Sequence, residues 1–204
     1  YPESAASPRY RVLQFLPHLR ECGFRCTVAS AVSAGAYAKF SGPARPGRPF
    51  WHHADETPRR MIQILRARKY DVVFVQKAIM SAYLRGMHSL LRANAKRLVY
   101  DIDDAVHLRP PHPLRGAWKS FEDDQQIVHL LNDTDLVFAG NAWLTAKARE
   151  HAKRVEFFPT VVDTDYFFPA PSPPPSMIVG WIGSPSTTPH LGTAECLGDL
   201  EHVT

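Results

Sequence analysis

Cysteine is scarce: Cys22, Cys26 and Cys196 are the only three in 204 residues. So small and odd a set excludes a disulfide scaffold and leads us to expect reduced thiols. Long apolar runs are missing too, Val72 to Val75 being typical and far short of the roughly 20 residues of a membrane span. No basic-then-apolar leader opens the sequence, so the expectation is a cytoplasmic protein. Charge of one sign is modest, with a net charge of +4 and a pI near 9.1. Lys and Arg are spread without the aromatic interleaving of a single-strand platform, so no nucleic-acid partner is expected. The basic excess of the first helices still suits peripheral contact with an anionic inner membrane face. Neither G-x-G-x-x-G nor G-x-x-x-x-G-K-[ST] occurs, which removes the usual dinucleotide and P-loop readings. His52-His53 and the His107…His112 pair lack the Cys/His spacing of a zinc site and read as loop residues.

What is present is a soluble globular pattern: 45% hydrophobic, 22% charged and 11% aromatic, enough for one to two domains with a core. Ser7 followed by Pro8 opens a helix with Val12, Phe15, Leu16 and Leu19 on one face, closing at Gly23. Pro17 inside it removes a backbone bond, so a kink or a short first segment is expected there. Residues 24–30 alternate Phe24, Cys26 and Val28 against polar neighbours and read as a strand. The Pro/Gly-rich stretch 41–53 reads as a loop, ended by a helix that Thr57-Pro58 begins. The run Val72 to Val75 reads as a strand buried on both faces. Helices over 81–95, 118–131 and 143–152 then alternate with strands over 97–101, 136–139 and 155–158. This alternation predicts an α/β fold, a Rossmann-like parallel sheet with helices on both faces.

Residues 169–176 (Pro-Ala-Pro-Ser-Pro-Pro-Pro-Ser) read as a stiff interdomain linker. Residues 1–168 then form a first domain, and 177–204 the first βα unit of a second Rossmann-like domain. The chain opens at Tyr1 and stops at Thr204 within a helical pattern, and is read as a piece of a longer protein whose first strand and donor side lie outside it.

In open parallel sheets, ligands bind beyond the carboxyl ends of the strands. The groups expected there are Gln76-Lys77, Asp101 to Asp104, Gly140-Asn141, Thr160 with Asp163 and Asp165, and Gly183-Ser184. Asn141, directly before Ala142-Trp143-Leu144, also suits a helix cap. Three carboxylates, Asp101, Asp103 and Asp104, in four residues repel unless a cation, a sugar hydroxyl or a basic side chain compensates. Three readings stand open for them: a solvated helix start, a polyol clamp, and a D-x-D divalent-metal site made by Asp101 and Asp103. Gly183-Ser184, at a strand end before a helix, is an anion cradle of the kind that holds phosphate.

With these segments in order, the chain resembles the N-terminal half of a family 4 (group 1) glycosyltransferase of the GT-B fold. The resemblance rests on Ser7-Pro-Arg-Tyr-Arg-Val with Leu16-Pro-His-Leu-Arg-Glu-Cys-Gly-Phe, on Tyr70-Asp-Val-Val-Phe-Val-Gln-Lys, and on Arg97-Leu-Val-Tyr-Asp-Ile-Asp-Asp-Ala. Val161-Val-Asp-Thr-Asp-Tyr-Phe-Phe-Pro and Gly180-Trp-Ile-Gly-Ser-Pro complete it. It implies an enzyme that moves a sugar from a nucleotide-sugar donor to a sugar, lipid or polyol acceptor with retention, in glycan or cell-envelope polysaccharide synthesis. It also implies that no metal and no cofactor is required. By position, Ser4, Ser7, Arg9, Asp101, Asp103, Asp104 and Asn141 are expected on the acceptor side, and Gly183 and Ser184 at the donor diphosphate. No catalytic residue can be assigned, because the family's donor-side glutamate pair has no counterpart here, and these 204 residues alone are expected not to turn over. The alternative is a non-catalytic α/β binding module or degenerate subunit.

Overall fold

The computed structural model describes residues 6–36, 48–104 and 114–168. Four short runs rich in Val, Leu, Phe and Tyr pair because such side chains fit a pleated, half-buried surface. They are β1 (Val73–Gln76), β2 (Leu98–Ile102), β3 (Leu136–Ala139) and β4 (Val155–Phe157), all parallel and side by side in that order. Val75 lies beside Tyr100, Tyr100 beside Val137 and Val137 beside Val155. The helices are α1 (Ala6–Arg11), α2 (Leu16–Glu21), α3 (Arg48–Arg66), α4 (Met87–Asn94), α5 (Gln126–Asp133) and α6 (Ala142–Arg149). The protein is thus α/β, with a parallel sheet flanked by helices. No helix among the described residues is long and apolar enough to cross a membrane.

Strand side chains alternate between faces, and the two faces of this sheet differ. Leu98, Tyr100, Ile102, Val137 and Ala139 point into one buried cluster with Ile64 of α3, Met87 and Leu91 of α4, Ile127, Leu130 and Leu131 of α5, and Leu144 and Ala148 of α6. The opposite face carries Phe74, Val99, Asp101 and Phe138. There a tilted aromatic row runs from Phe74 to Phe138 (6.3 Å), Phe158 (5.1 Å) and Phe15 (5.6 Å). α1, the turn at Leu13–Phe15 and Phe158 meet this face, and Phe74 keeps 40% of its surface exposed.

Several expectations are met. The strands fall within a residue or two of the expected positions. The expected break in the first helix is present: α1 ends at Arg11, Val12 leaves helical geometry, and Pro17 opens α2 instead of interrupting it. Gly23, at φ 88°, ends α2. Its N–H donates to Arg20 O and that of Phe24 to Leu19 O, the paired reverse bonds that close a helix on a left-handed residue.

Other expectations are corrected. Residues 24–30 pair with no strand among the described residues, and Phe24 and Val28 are exposed. Alternation supplies a strand's side-chain pattern but not its ladder partner. Val72 to Val75 is not buried on both faces: Val73 and Val75 pack against the core while Val72 and Phe74 stay exposed. The third helix starts at Arg48, not at Thr57-Pro58, so Pro58 lies inside it and His52 and His53 are helical rather than loop residues. Residues 81–86 are irregular, and α4 begins only after Gly86, whose φ of 76° ends the preceding turn. The helix expected over 118–131 is a 3-10 turn at Gly116–Phe121 followed by α5. The linker 169–176 and the unit 177–204 lie outside the described residues.

A buried clasp holds α3 to the 78–84 segment. Glu56 accepts from Ser81 N at 2.8 Å and from Ser81 Oγ, His52 Nε2 lies 2.9 Å from Ser81 Oγ, and His53 Nδ1 is 3.7 Å from the carboxylate. Burial alone raises the Glu56 carboxyl; the His53 imidazole and the Ser81 bonds outweigh it and hold Glu56 below its ordinary value of 4.5. At the opposite end of the strands, Asp135 accepts from Leu98 N at 2.7 Å and Arg92 at 2.9 Å, which likewise depresses its pKa.

Leu130→Ala, at a side chain with 0% exposure, is expected to cost about 2–5 kcal/mol in chemical denaturation. Half-exposed Ile62→Ala should stay within about 0.5 kcal/mol. Because Glu56 titrates lower folded than unfolded, the stability it contributes is present above its ordinary pKa and is lost as pH falls through the folded value. Urea midpoints measured from neutral pH down to about pH 3 should therefore fall more steeply for the wild type than for Glu56→Gln.

Candidate functional site

At the carboxyl ends of β1, β2 and β3 the chain turns polar, and α1 is laid across that rim. Ser7 Oγ donates to Asp103 Oδ2 at 2.6 Å and accepts from Gln76 Nε2 at 2.7 Å. Lys77 Nζ lies 3.6 Å from Asp103 Oδ1 and pairs closely with Asp104. Lys77 itself is in the left-handed region, at φ 63°. The Tyr100 hydroxyl donates to its carbonyl at 2.5 Å and its N–H donates to Asp101 O at 2.9 Å, which offsets the backbone strain. Asp103 Oδ1 is buried and, among the described residues, has no hydrogen-bond partner, with only the Lys77 ammonium facing it at 3.6 Å. An unpaired buried carboxylate oxygen is costly to leave unmet.

Asp101, one residue inside the sheet, is fully buried. Arg11 Nε donates to its Oδ2 at 3.1 Å and Arg11 Nη2 to its Oδ1. The same guanidinium donates through Nη1 to Phe158 O at 2.6 Å and sits 5.0 Å from the Phe158 ring centroid. Burial pushes the Asp101 carboxyl up, and the bonds and charge of Arg11 oppose that shift. With both oxygens taken, the D-x-D spacing does not present two free carboxylates to a divalent ion.

The structure therefore brings Ser7, Asp103 and Asp104 together and turns Asp101 inward as the partner of Arg11. Arg9 is exposed and stands apart, its guanidinium 6.0 Å from the Tyr10 ring. Asn141 caps α6, its Oδ1 accepting from Leu144 N at 2.8 Å. Ser4, Gly183 and Ser184 lie outside the described residues. Gln76 and Lys77, read in the sequence only as strand-end polar groups, prove to be neighbours of the acidic cluster. Arg11 was missed altogether, and no local signal marks it, since its partner is 90 residues away.

Ser81 lies within hydrogen-bond reach of both His52 and Glu56, which are themselves 3.6 Å apart, and this raises the question of a nucleophile. The Ser81 hydroxyl donates its hydrogen bond to the Glu56 carboxylate and all three side chains are buried, away from any substrate, so the group reads as a structural clasp. The rim group has different chemistry. It places a carboxylate acceptor beside an ammonium donor at the strand ends, and a hydroxyl group can both donate and accept. No protein-family model, curated protein or solved structure matches this chain.

Removing one member of a buried ion pair strands the other charge. Arg11→Met is expected to cost about 3–5 kcal/mol in urea unfolding. The double variant Arg11→Met/Asp101→Leu should recover most of that loss, because no buried charge is then left unpaired. Equal losses in the single and double variants would show that the pair is not what holds α1 in place.

Proposed function

We propose that the chain is the acceptor-side part of a glycosyltransferase that moves a sugar from a nucleotide-sugar donor to a hydroxyl acceptor, in glycan or cell-envelope polysaccharide synthesis. The observation that carries this reading is the buried, unsatisfied Oδ1 of Asp103, facing Lys77 at the carboxyl end of a parallel sheet. An acceptor hydroxyl placed there donates to Asp103 and accepts from Lys77. Ser7, held in turn by Gln76, fixes the other oxygen of the Asp103 carboxylate. The sequence resemblance described above supports the same reading and supplies the retaining outcome and the absence of a metal requirement for transfer. The same resemblance assigns Gly183 and Ser184 to the donor diphosphate.

Saturation-transfer NMR of the 204-residue protein against hexoses, linear polyols and short oligosaccharides is the direct test. At least one member of that panel is expected to bind, and Asp103→Asn should weaken it about 10-fold, the worth of one charge-assisted hydrogen bond. Binding that is unchanged in Asp103→Asn, or no binding across the panel, overturns the assignment.

A further inference from the structure

The segments that lead into α4 and α5 are laced together by their backbones. Asp123 N donates to Tyr83 O at 2.7 Å, Arg85 N donates to Phe121 O at 2.9 Å, and Leu84 and Glu122 form an antiparallel bridge. Two side chains tighten the seam: Gln126 Nε2 donates to Leu84 O at 2.6 Å and Arg85 Nε to Glu122 O at 2.9 Å. This seam sets His88, in the first turn of α4, against Asp123 and against His129 of α5. Each of the three offers a donor atom within 4.8 Å of the other two. The two imidazole rings lie 4.8 Å apart between centroids.

The carboxylates around the rings are held in place. Asp123 Oδ1 accepts from Gln125 N at 3.0 Å, and Oδ2 is 3.1 Å from His129 Nδ1. Asp133, at the end of α5, is 2.9 Å from His88 Nδ1. Two imidazoles brought ring to ring, each with its own carboxylate, form a preorganised nitrogen and oxygen donor set. The set shares no residue with the group at the strand ends.

We propose that His88, Asp123 and His129 bind a divalent transition-metal ion of the Zn²⁺ class, with Asp133 orienting His88. Two imidazoles and one carboxylate are a donor set that zinc takes with a further position open. Imidazole nitrogens favour Zn²⁺, Cu²⁺ or Ni²⁺ over Mg²⁺ and Ca²⁺, which prefer all-oxygen cages. A carboxylate on one ring nitrogen of His88 fixes the tautomer and leaves the other for the ion. His129 keeps 44% of its side chain exposed, which gives the ion a path from solvent. Bound there, the ion clips α4 to α5.

The test is calorimetric titration of the chelator-treated protein with ZnCl₂ alone at neutral pH. One ion per chain is expected, with a matching rise in Tm. His129→Gln, at a partly exposed position that does not threaten folding, should lower the affinity at least 10-fold. Asp133→Asn should lower it about 10-fold as an orienting residue. His18 and Cys22, 3.7 Å apart elsewhere on the surface, could also attract zinc, so His18→Ala/Cys22→Ser is the control and should bind as the wild type does. With Co²⁺ in place of Zn²⁺, visible absorption bands should appear in the wild type and vanish in His129→Gln. Equal binding by wild type and His129→Gln, or binding abolished in the His18/Cys22 variant, overturns the proposal.

Discussion

The buried bidentate pair between Arg11 and Asp101 decides where everything else at the strand ends can sit. Two fully desolvated charges are expensive, and their attraction offsets that cost only when the remaining hydrogen bonds are met. Here they are: the guanidinium spends its spare donors on Phe158 O and, at 3.4 Å, on Thr160 Oγ1, while the Phe158 ring packs against its face. One side chain thereby joins α1, the middle of the sheet and the chain that leaves β4. Gln14 repeats the link further along, donating to Val161 O at 2.9 Å. Hydrophobic packing alone would not fix α1 so well, because a short helix of six residues is marginal without tertiary anchors.

Once Arg11 is fixed, Ser7 one turn earlier has nowhere to go but the rim. Residues four apart share a face of a helix, so the turn that sends Arg11 into the sheet sends Ser7 onto Asp103 and Gln76. The acidic run in the sequence thus resolves into three different environments. Asp101 is neutralised inside the protein by Arg11, Asp103 is half met by Ser7, and exposed Asp104 is paired with Lys77. Repulsion among three neighbouring carboxylates is relieved by two cations and one hydroxyl, and Asp103 Oδ1 keeps the Lys77 charge at 3.6 Å without a hydrogen bond among the described residues.

Much of this fold was legible in the sequence, for local reasons. Runs such as Leu136–Ala139 form strands where expected because apolar β-formers bounded by polar turns have few other uses. Asn141 caps α6 because its side chain bonds an N–H that is otherwise unmet. The failures have physical causes as well. Thr57-Pro58 carries a helix-start signal, yet the buried clasp of Glu56, His52 and Ser81 needs the turn before it to be helical, and tertiary contacts override the local cue. Residues 24–30 have the alternation of a strand but no partner strand among the described residues. The pairings that build the site, Arg11 with Asp101 and Ser7 with Asp103, span 90 and 96 residues, and no local pattern encodes a contact at that range.

The position of Asp103 also depends on a residue with no side chain. Gly140 follows β3 and donates its N–H to Ile102 O at 2.8 Å, which draws the ends of β2 and β3 together beyond their paired residues. A Cβ at Gly140 would stand 3.1 Å from Asp103 Cα and 3.4 Å from Asp103 Cβ. The first of these is tighter than ordinary packing and involves backbone, which cannot swing aside as a side-chain tip can. A side chain at this position requires the Asp103 backbone to give by a few tenths of an ångström, so the placing of the carboxylate is tied to the bare backbone of its neighbour. The rim is thus held from three directions at once: by α1 through Ser7, by β1 through Gln76 and Lys77, and by the close approach of β3 at Gly140.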